Sequence, residues 1–218
     1  EQSAGPRDYR SALALFESAL RLDPSYGPAR YNQATATYLA GSAAPHEETR
    51  ARETTYALSL LRAASTSNSV FRATVHDLTL LVGVEATREV PLEDVAVTTP
   101  VASMTGRQVA SPTPIAVPIL RAGLGMLSGF LELVPTADSG FLGLKRNEKT
   151  LEPEVYAKRF PNDTAGRHIF LLDPMLATGR SMFLTYKALL TKGKPSRVIV
   201  VSLIASEQGV KYIQQHMP

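Results

Sequence analysis

Cysteine and tryptophan are missing altogether from the 218 residues. Without cysteine the chain has no disulfide framework, no thiolate nucleophile and no thiolate metal site. None of its four histidines stands at a spacing that zinc ligation uses. Long apolar runs are lacking too: no stretch is long enough to span a membrane, and residues 1–20 lack a signal-peptide core. Charge of one sign is scarce, with a formal net charge of +3 and a sequence pI of about 9.2. Its lysines and arginines are spread rather than clustered, which fits small phosphorylated ligands better than nucleic acid. These absences point to a cytoplasmic protein with neither nucleic acid nor membrane as partner. At 44% hydrophobic the chain can bury a full core in one or two domains. It begins at Glu1 without methionine, as a processed or trimmed piece would.

What is present is one stretch around which the rest is organised, HIFLLDPMLATGRSMF at residues 168–183. The apolar run 169–172 reads as a buried parallel strand, and Asp173 stands where that strand ends. A turn over 174–179 follows, and Ser181 opens a helical pattern through Leu184, Ala188 and Leu189. The first amides of a helix have no partner inside it, and the helix dipole adds positive potential, so such a turn can hold a phosphate. Thr178 and Ser181 bring hydroxyls, and Gly179 permits close backbone approach. Asp173 would face the other way, toward hydroxyls or a cationic group, an arrangement that suits a sugar phosphate. Read alone, the same motif is equally a plain capped turn between strand and helix.

The surrounding words narrow this. DPMLATGRS closely resembles the phosphoribosyl pyrophosphate (PRPP) loop of uracil phosphoribosyltransferases, whose usual form ends in Gly-Gly-Ser or Gly-Gly-Thr. VPILRAGLGM at 117–126 resembles the pyrophosphate loop of that family, and GLKRNEKTLEP at 143–153 its flexible arm. The three segments occur in the family's order, and the resemblance runs from about residue 55 to the last residue. It implies a type I phosphoribosyltransferase-like α/β domain over 55–218, a mainly parallel sheet flanked by helices, preceded by an α-helical segment over 1–54. It also implies that PRPP is bound by Arg121, Arg146, Asp173, Pro174, Met175, Leu176, Ala177, Thr178, Gly179, Arg180 and Ser181, with Arg121 and Asp173 catalytic and no metal held by the protein alone.

The reaction implied by the resemblance joins uracil to PRPP, giving uridine monophosphate and pyrophosphate, with Mg2+ accompanying PRPP. As the C1–O bond breaks, positive charge grows on the ribose and negative charge on the pyrophosphate; Arg121, Arg146 and the magnesium ion would stabilise the latter. Asp173 would orient the ribose hydroxyls beside the developing cation, while residues 177–181 hold the 5′-phosphate. Closure of the arm would exclude water from that cation. No residue offers itself as an assured general base. The family further implies a homodimer, with GTP as an activator in some members.

Three departures from the family pattern stand out. Arg180 occupies the place of the second glycine. Residues 1–54 do not resemble the family's own N-terminal segment. The family's Tyr-Ile-x-Pro-Gly-Leu-Gly-Asp-Ala-Gly-Asp type segment, which recognises uracil, would lie downstream of Pro218, so the expectation is that this chain alone turns over little or not at all. A second reading is therefore a catalytically incomplete PRPP sensor or adaptor.

Residues 8–41 read as helical: Leu13, Phe16 and Leu20 share a face, Pro24 stops one helix and Pro28 opens another that Gly41 can end. ALALFESALRLDPSYGPARYNQATATYLAG resembles a tetratricopeptide repeat without a second copy about 34 residues on. It is either a partner-binding surface or a helical hairpin packed on the main domain. A further helix starts near Pro45, and the family's two N-terminal helices follow. Phe71, Val75, Leu78 and Leu81 repeat at helical spacing as a core face, and His76 beside them reads as structural. Strands are expected over 95–99 and 108–110 with a turn at Gly106, then over 115–120, 139–144, 155–158 and 198–204, with a polar loop over 145–153 and a closing helix over 206–216. Gly123, Gly125 and Gly129 after a strand resemble a dinucleotide fingerprint, with Lys145 and Arg146 as a candidate 2′-phosphate site, but the spacing departs from G-x-G-x-x-G.

Overall fold

The computed structural model describes residues 45–146 and 153–217, with side chains over 54–145 and 154–217. The chain divides into two compact units, residues 1–78 and 79–218. In the first, α1 (Pro45–Arg62) begins on a proline, whose missing N–H is no loss in a first turn, and α2 (Asn68–Ala86) starts beyond a short connection. Ser67 caps α2 by accepting the Val70 amide at 3.4 Å. The boundary expected between 54 and 55 falls inside α1, which runs on through it. The helices expected over 8–41, and with them the repeat-like segment, lie outside the described residues. On α2, Val75 and Leu78 are buried as expected, but Leu81 is 44% exposed. The buried stripe follows the pairs Thr74–Leu78 and Val75–Thr79, four residues apart, and Leu81 lies beyond its edge.

The second unit takes in the rest of α2 and then a two-stranded antiparallel ribbon, β1 (Leu92–Thr98) and β2 (Ser103–Val109). Its turn is at 99–102 and not at Gly106, because Thr99 supplies the turn chemistry: its hydroxyl oxygen accepts the amides of Val101 and Ala102 at 3.3 and 3.0 Å. Gly106 lies within β2 opposite Val95, where a Cβ would come 2.8 Å from the Val97 side chain.

Then comes the sheet that carries the site. Its elements are β3 (Ile115–Leu120), α3 (Leu124–Leu133), β4 (Asp138–Ser139), β5 (Phe141–Arg146), β6 (Pro153–Arg159), β7 (His168–Leu172), α4 (Arg180–Leu190) and β9 (Arg197–Val201). The strand order is β6-β5-β3-β7-β9, with β4 also on β3; every pairing is parallel except the edge strand β6 on β5. This is the expected mainly parallel sheet. The strand expected over 139–144 is two pieces separated by Gly140, and the two ends of the polar loop expected over 145–153 are strand, since Lys145 pairs with Glu154 and Arg146 with Pro153. Residues 147–152 lie outside the described residues.

Helices cover both faces, so the central strands are apolar throughout rather than alternating. Ile115, Val117, Ile119, Ile169 and Leu171 pack with Met182 and Leu189 of α4. On the other face Phe170 meets Phe130 of α3, ring centroids 4.7 Å apart. At the amino-terminal end of the sheet, buried Arg167 donates to the Thr113 carbonyl at 2.6 Å, to the Pro114 carbonyl at 3.3 Å and to Asp138 at 2.5 Å. One guanidinium thus ties the entrances of β3, β4 and β7 together.

Candidate functional site

The site is built at the opposite, carboxyl end of the strands. In the parallel register Pro118 of β3 pairs with Leu172 of β7, and Leu120 pairs with Gly143 of β5. Arg121 therefore follows the end of β3, Asp173 follows the end of β7, and Arg146 closes β5, on three adjacent strands and beyond one edge. Ligands of such sheets bind beyond that edge. The backbone of Arg146 is placed there; its side chain lies outside the described residues.

Arg121 sits in a tight turn. The Gly123 amide donates to the Ile119 carbonyl at 2.9 Å, the Leu124 amide to the Arg121 carbonyl at 3.2 Å, and the Leu120–Arg121 peptide is cis. Arg121 is exposed while Gly123 is buried, so the turn presents its charge outward from a packed base. Gly123 also begins α3 without any side-chain cap, and the Leu124 and Met126 amides are taken by the Arg121 and Gly123 carbonyls.

Asp173 is half-buried. Its amide donates to the Val201 carbonyl at 3.2 Å and its carboxylate accepts the Met175 amide at 3.3 Å. Burial pushes its carboxyl above the ordinary aspartate value, and the Met175 hydrogen bond pulls back the other way. The next residues cross the sheet edge as β8 (Met175–Leu176), a short strand that pairs in parallel with β10 (Ile204–Ala205). This pairing divides the strand expected over 198–204 into β9 and β10.

Ala177 and Thr178 are exposed, and Gly179 is buried with φ 76°, the left-handed conformation that favours glycine. Gly179 is the N-cap residue of α4, and the helix starts at Arg180, one residue before the expected Ser181. The turn consequently brings residues 178–181 to the amino end of a helix, with the Thr178 and Ser181 hydroxyls nearby. Pro174, Met175, Leu176, Ala177, Thr178, Gly179, Arg180 and Ser181 thus form one continuous turn from β7 to α4. Among the described residues no three acidic or histidine side chains gather to hold a metal ion.

A contribution that the sequence reading missed comes from α5 (Glu207–His216). Ser206 caps this helix, its hydroxyl oxygen accepting the Gly209 amide at 2.9 Å, and the same hydroxyl donates to the Ala177 carbonyl. The closing helix is legible in the sequence, but its grip on the turn is not, because the two residues stand 29 apart.

Comparisons with known proteins agree with this arrangement. The family model described as uracil phosphoribosyltransferase matches residues 49–218. A uracil phosphoribosyltransferase of Bifidobacterium longum is 46% identical over 161 residues, covering 73% of this chain and 75% of the relative. One from Streptococcus equi subsp. zooepidemicus is 46% identical over 161 residues, covering 74% and 77%. Among solved structures, a protein from Aquifex aeolicus superposes with a TM-score of 0.70 at 35% identity, covering 75% of this chain and 78% of that one. Sheet order, the turns at its carboxyl edge and a family match over most of its length agree: the chain belongs to the uracil phosphoribosyltransferase family.

Proposed function

We propose that the chain transfers the phosphoribosyl group of PRPP to uracil, releasing pyrophosphate and forming uridine monophosphate. The observation that carries this is the register that sets the Arg121 turn and the Asp173 turn on neighbouring strands beyond one sheet edge, with Gly179 opening a helix beside them. In this reading residues 177–181 receive the 5′-phosphate through backbone amides and hydroxyls. Arg121 and the neighbouring amides of its turn take the pyrophosphate, whose charge grows as the C1–O bond breaks. Arg146 approaches the same pyrophosphate from the β5–β6 hairpin, and Asp173 faces the ribose.

Mg2+ belongs to this proposal as an ion that arrives with PRPP. The donor set fits that role, since no three acidic or histidine side chains gather among the described residues and the phosphate oxygens would supply most of its ligands. When bound, it neutralises charge on the leaving pyrophosphate. The family resemblance further supports a homodimer, GTP as an effector, a cytoplasmic location and residues 55–218 as the transferase domain, while the tetratricopeptide-like stretch is the support for a protein-binding role of residues 1–54. No helix among the described residues is long and apolar enough to cross a membrane.

The test is a calorimetric titration of the chain with PRPP and Mg2+, followed by conversion of labelled uracil to uridine monophosphate. Magnesium-dependent PRPP binding is expected of this chain, and product formation where the uracil-recognising segment is present. Folded protein that takes up no PRPP would overturn the proposal. PRPP binding with no uracil conversion by a chain extended through the uracil-recognising segment would favour the adaptor reading instead.

A further inference from the structure

Loop carbonyls beside the phosphate turn are tied to one short stretch of chain. The Pro174 carbonyl accepts the amides of Leu203 and Ile204 at 3.3 and 3.0 Å, the Leu176 carbonyl accepts the Ser206 amide at 2.8 Å, and the Ala177 carbonyl accepts the Ser206 hydroxyl. We infer that Ser206 is a positioning residue for PRPP: by holding the Ala177 carbonyl, its hydroxyl aims the Thr178 amide at the 5′-phosphate. The inference rests on the phosphate-loop reading proposed above.

The geometry works through the peptide plane. In a trans peptide the C=O and the following N–H point in opposite directions, so a carbonyl held on one side presents the amide on the other. The Ala177–Thr178 bond is not among the cis peptides. A serine hydroxyl has a single proton. Because its oxygen already accepts the Gly209 amide at 2.9 Å, that proton is directed to Ala177. Gly209 reinforces the arrangement: a Cβ there would fall 2.5 Å from the Ala177 oxygen and 3.0 Å from the Leu176 oxygen. The first turn of α5 thus lies flat against the carbonyl side of the loop, which leaves the amide side to the ligand. Ser206 itself need never touch PRPP.

Three variants of the full chain separate positioning from mere support of the helix. Ser206→Ala removes both bonds and is a poor cap; Ser206→Gly removes the hydroxyl while remaining a tolerated cap; Ser206→Thr keeps the hydroxyl. PRPP affinity in the presence of Mg2+ is read by calorimetry at a temperature where circular dichroism shows each variant folded. The dissociation constant is expected to rise about tenfold in the alanine and glycine variants, equivalent to about 1.4 kcal/mol, and to stay within about twofold of the parent in the threonine variant. Parent-like affinity in folded Ser206→Gly would overturn the inference, whatever happens to its melting temperature. If the parent itself binds no PRPP, the reading of the whole site fails and takes this inference with it, a result distinct from the first.

Discussion

Gly123 backs onto the carbonyl oxygen of Leu172: a Cβ added to Gly123 would overlap that oxygen and sit 2.7 Å from the Ile119 amide nitrogen. Both neighbours are backbone of buried central strands, so neither can swing aside as a side-chain tip would. The turn that carries Arg121 and the strand that leads to Asp173 are therefore in direct contact, at a separation that only glycine allows. Gly123→Ala is expected to push the two turns apart. Overpacking of this kind costs about 1–3 kcal/mol, read as a lower urea midpoint, and PRPP affinity should fall with it. A variant with the parent's midpoint and affinity would show that the two turns are not coupled.

Gly179 should be intolerant for a different reason. Its φ of 76° is in the left-handed region, and a Cβ would also meet the Tyr212 ring at 2.9 Å. The backbone part of the penalty for Gly179→Ala is about 1–2 kcal/mol and cannot be relieved by trimming the ring. Gly179→Ala should therefore still destabilise the chain in a Tyr212→Ala background, and by less than in the parent background. Equal penalties in the two backgrounds would remove the ring from the account.

Much of this was legible in the sequence, and the exceptions share a cause. Runs such as 115–120 and 169–172 are readable because strands buried on both faces carry no polar alternation to blur them. Asp173, Gly179 and the α4 start could be placed to within a residue, since a strand end, a glycine and a cap are local signals. What escaped depends on partners distant in sequence. The strands β8 and β10 are two residues each and exist only because they pair with one another. Lys145 reads as a charged loop residue but pairs with Glu154 in the β5–β6 hairpin. Gly106 has the composition of a turn, yet the Thr99 hydroxyl closes the turn elsewhere.

Arg167 offers a control at the far end of the sheet. Its guanidinium satisfies the Thr113 and Pro114 carbonyls and the Thr113 hydroxyl, and pairs with Asp138, which is itself largely exposed. The ion pair therefore contributes little, and the Thr113 carbonyl left without its donor is the main loss, since the Pro114 carbonyl keeps the Asp138 amide at 2.9 Å. Arg167→Met should lower stability by about 1–3 kcal/mol while leaving the PRPP dissociation constant unchanged in the folded protein. A change in PRPP affinity would mean that the two ends of the strands communicate.

Asp173 should show opposite effects on stability and on function. Burial raises its carboxyl above the ordinary value of 3.8 in the folded chain, so over the interval between the unfolded and folded values the folded state binds more protons than the unfolded one. Stability contributed by this group is then fully present below the unfolded value and is lost as pH rises through the folded one. At neutral pH the ionised, half-buried carboxylate is a burden that the fold carries. An asparagine side chain at this position cannot ionise, although its oxygen can still accept the Met175 amide. Asp173→Asn is therefore expected to gain stability relative to the parent as pH climbs from about 3 to 7, and to match it most closely at the acid end. PRPP binding and turnover should fall steeply in the same variant, because the neutral amide cannot favour the developing ribose cation. Paired urea titrations across that pH range, set beside calorimetry with PRPP, test both halves. A variant that is less stable than the parent at pH 7, or one that keeps full PRPP affinity and turnover, would mean that Asp173 serves the fold and not the ligand.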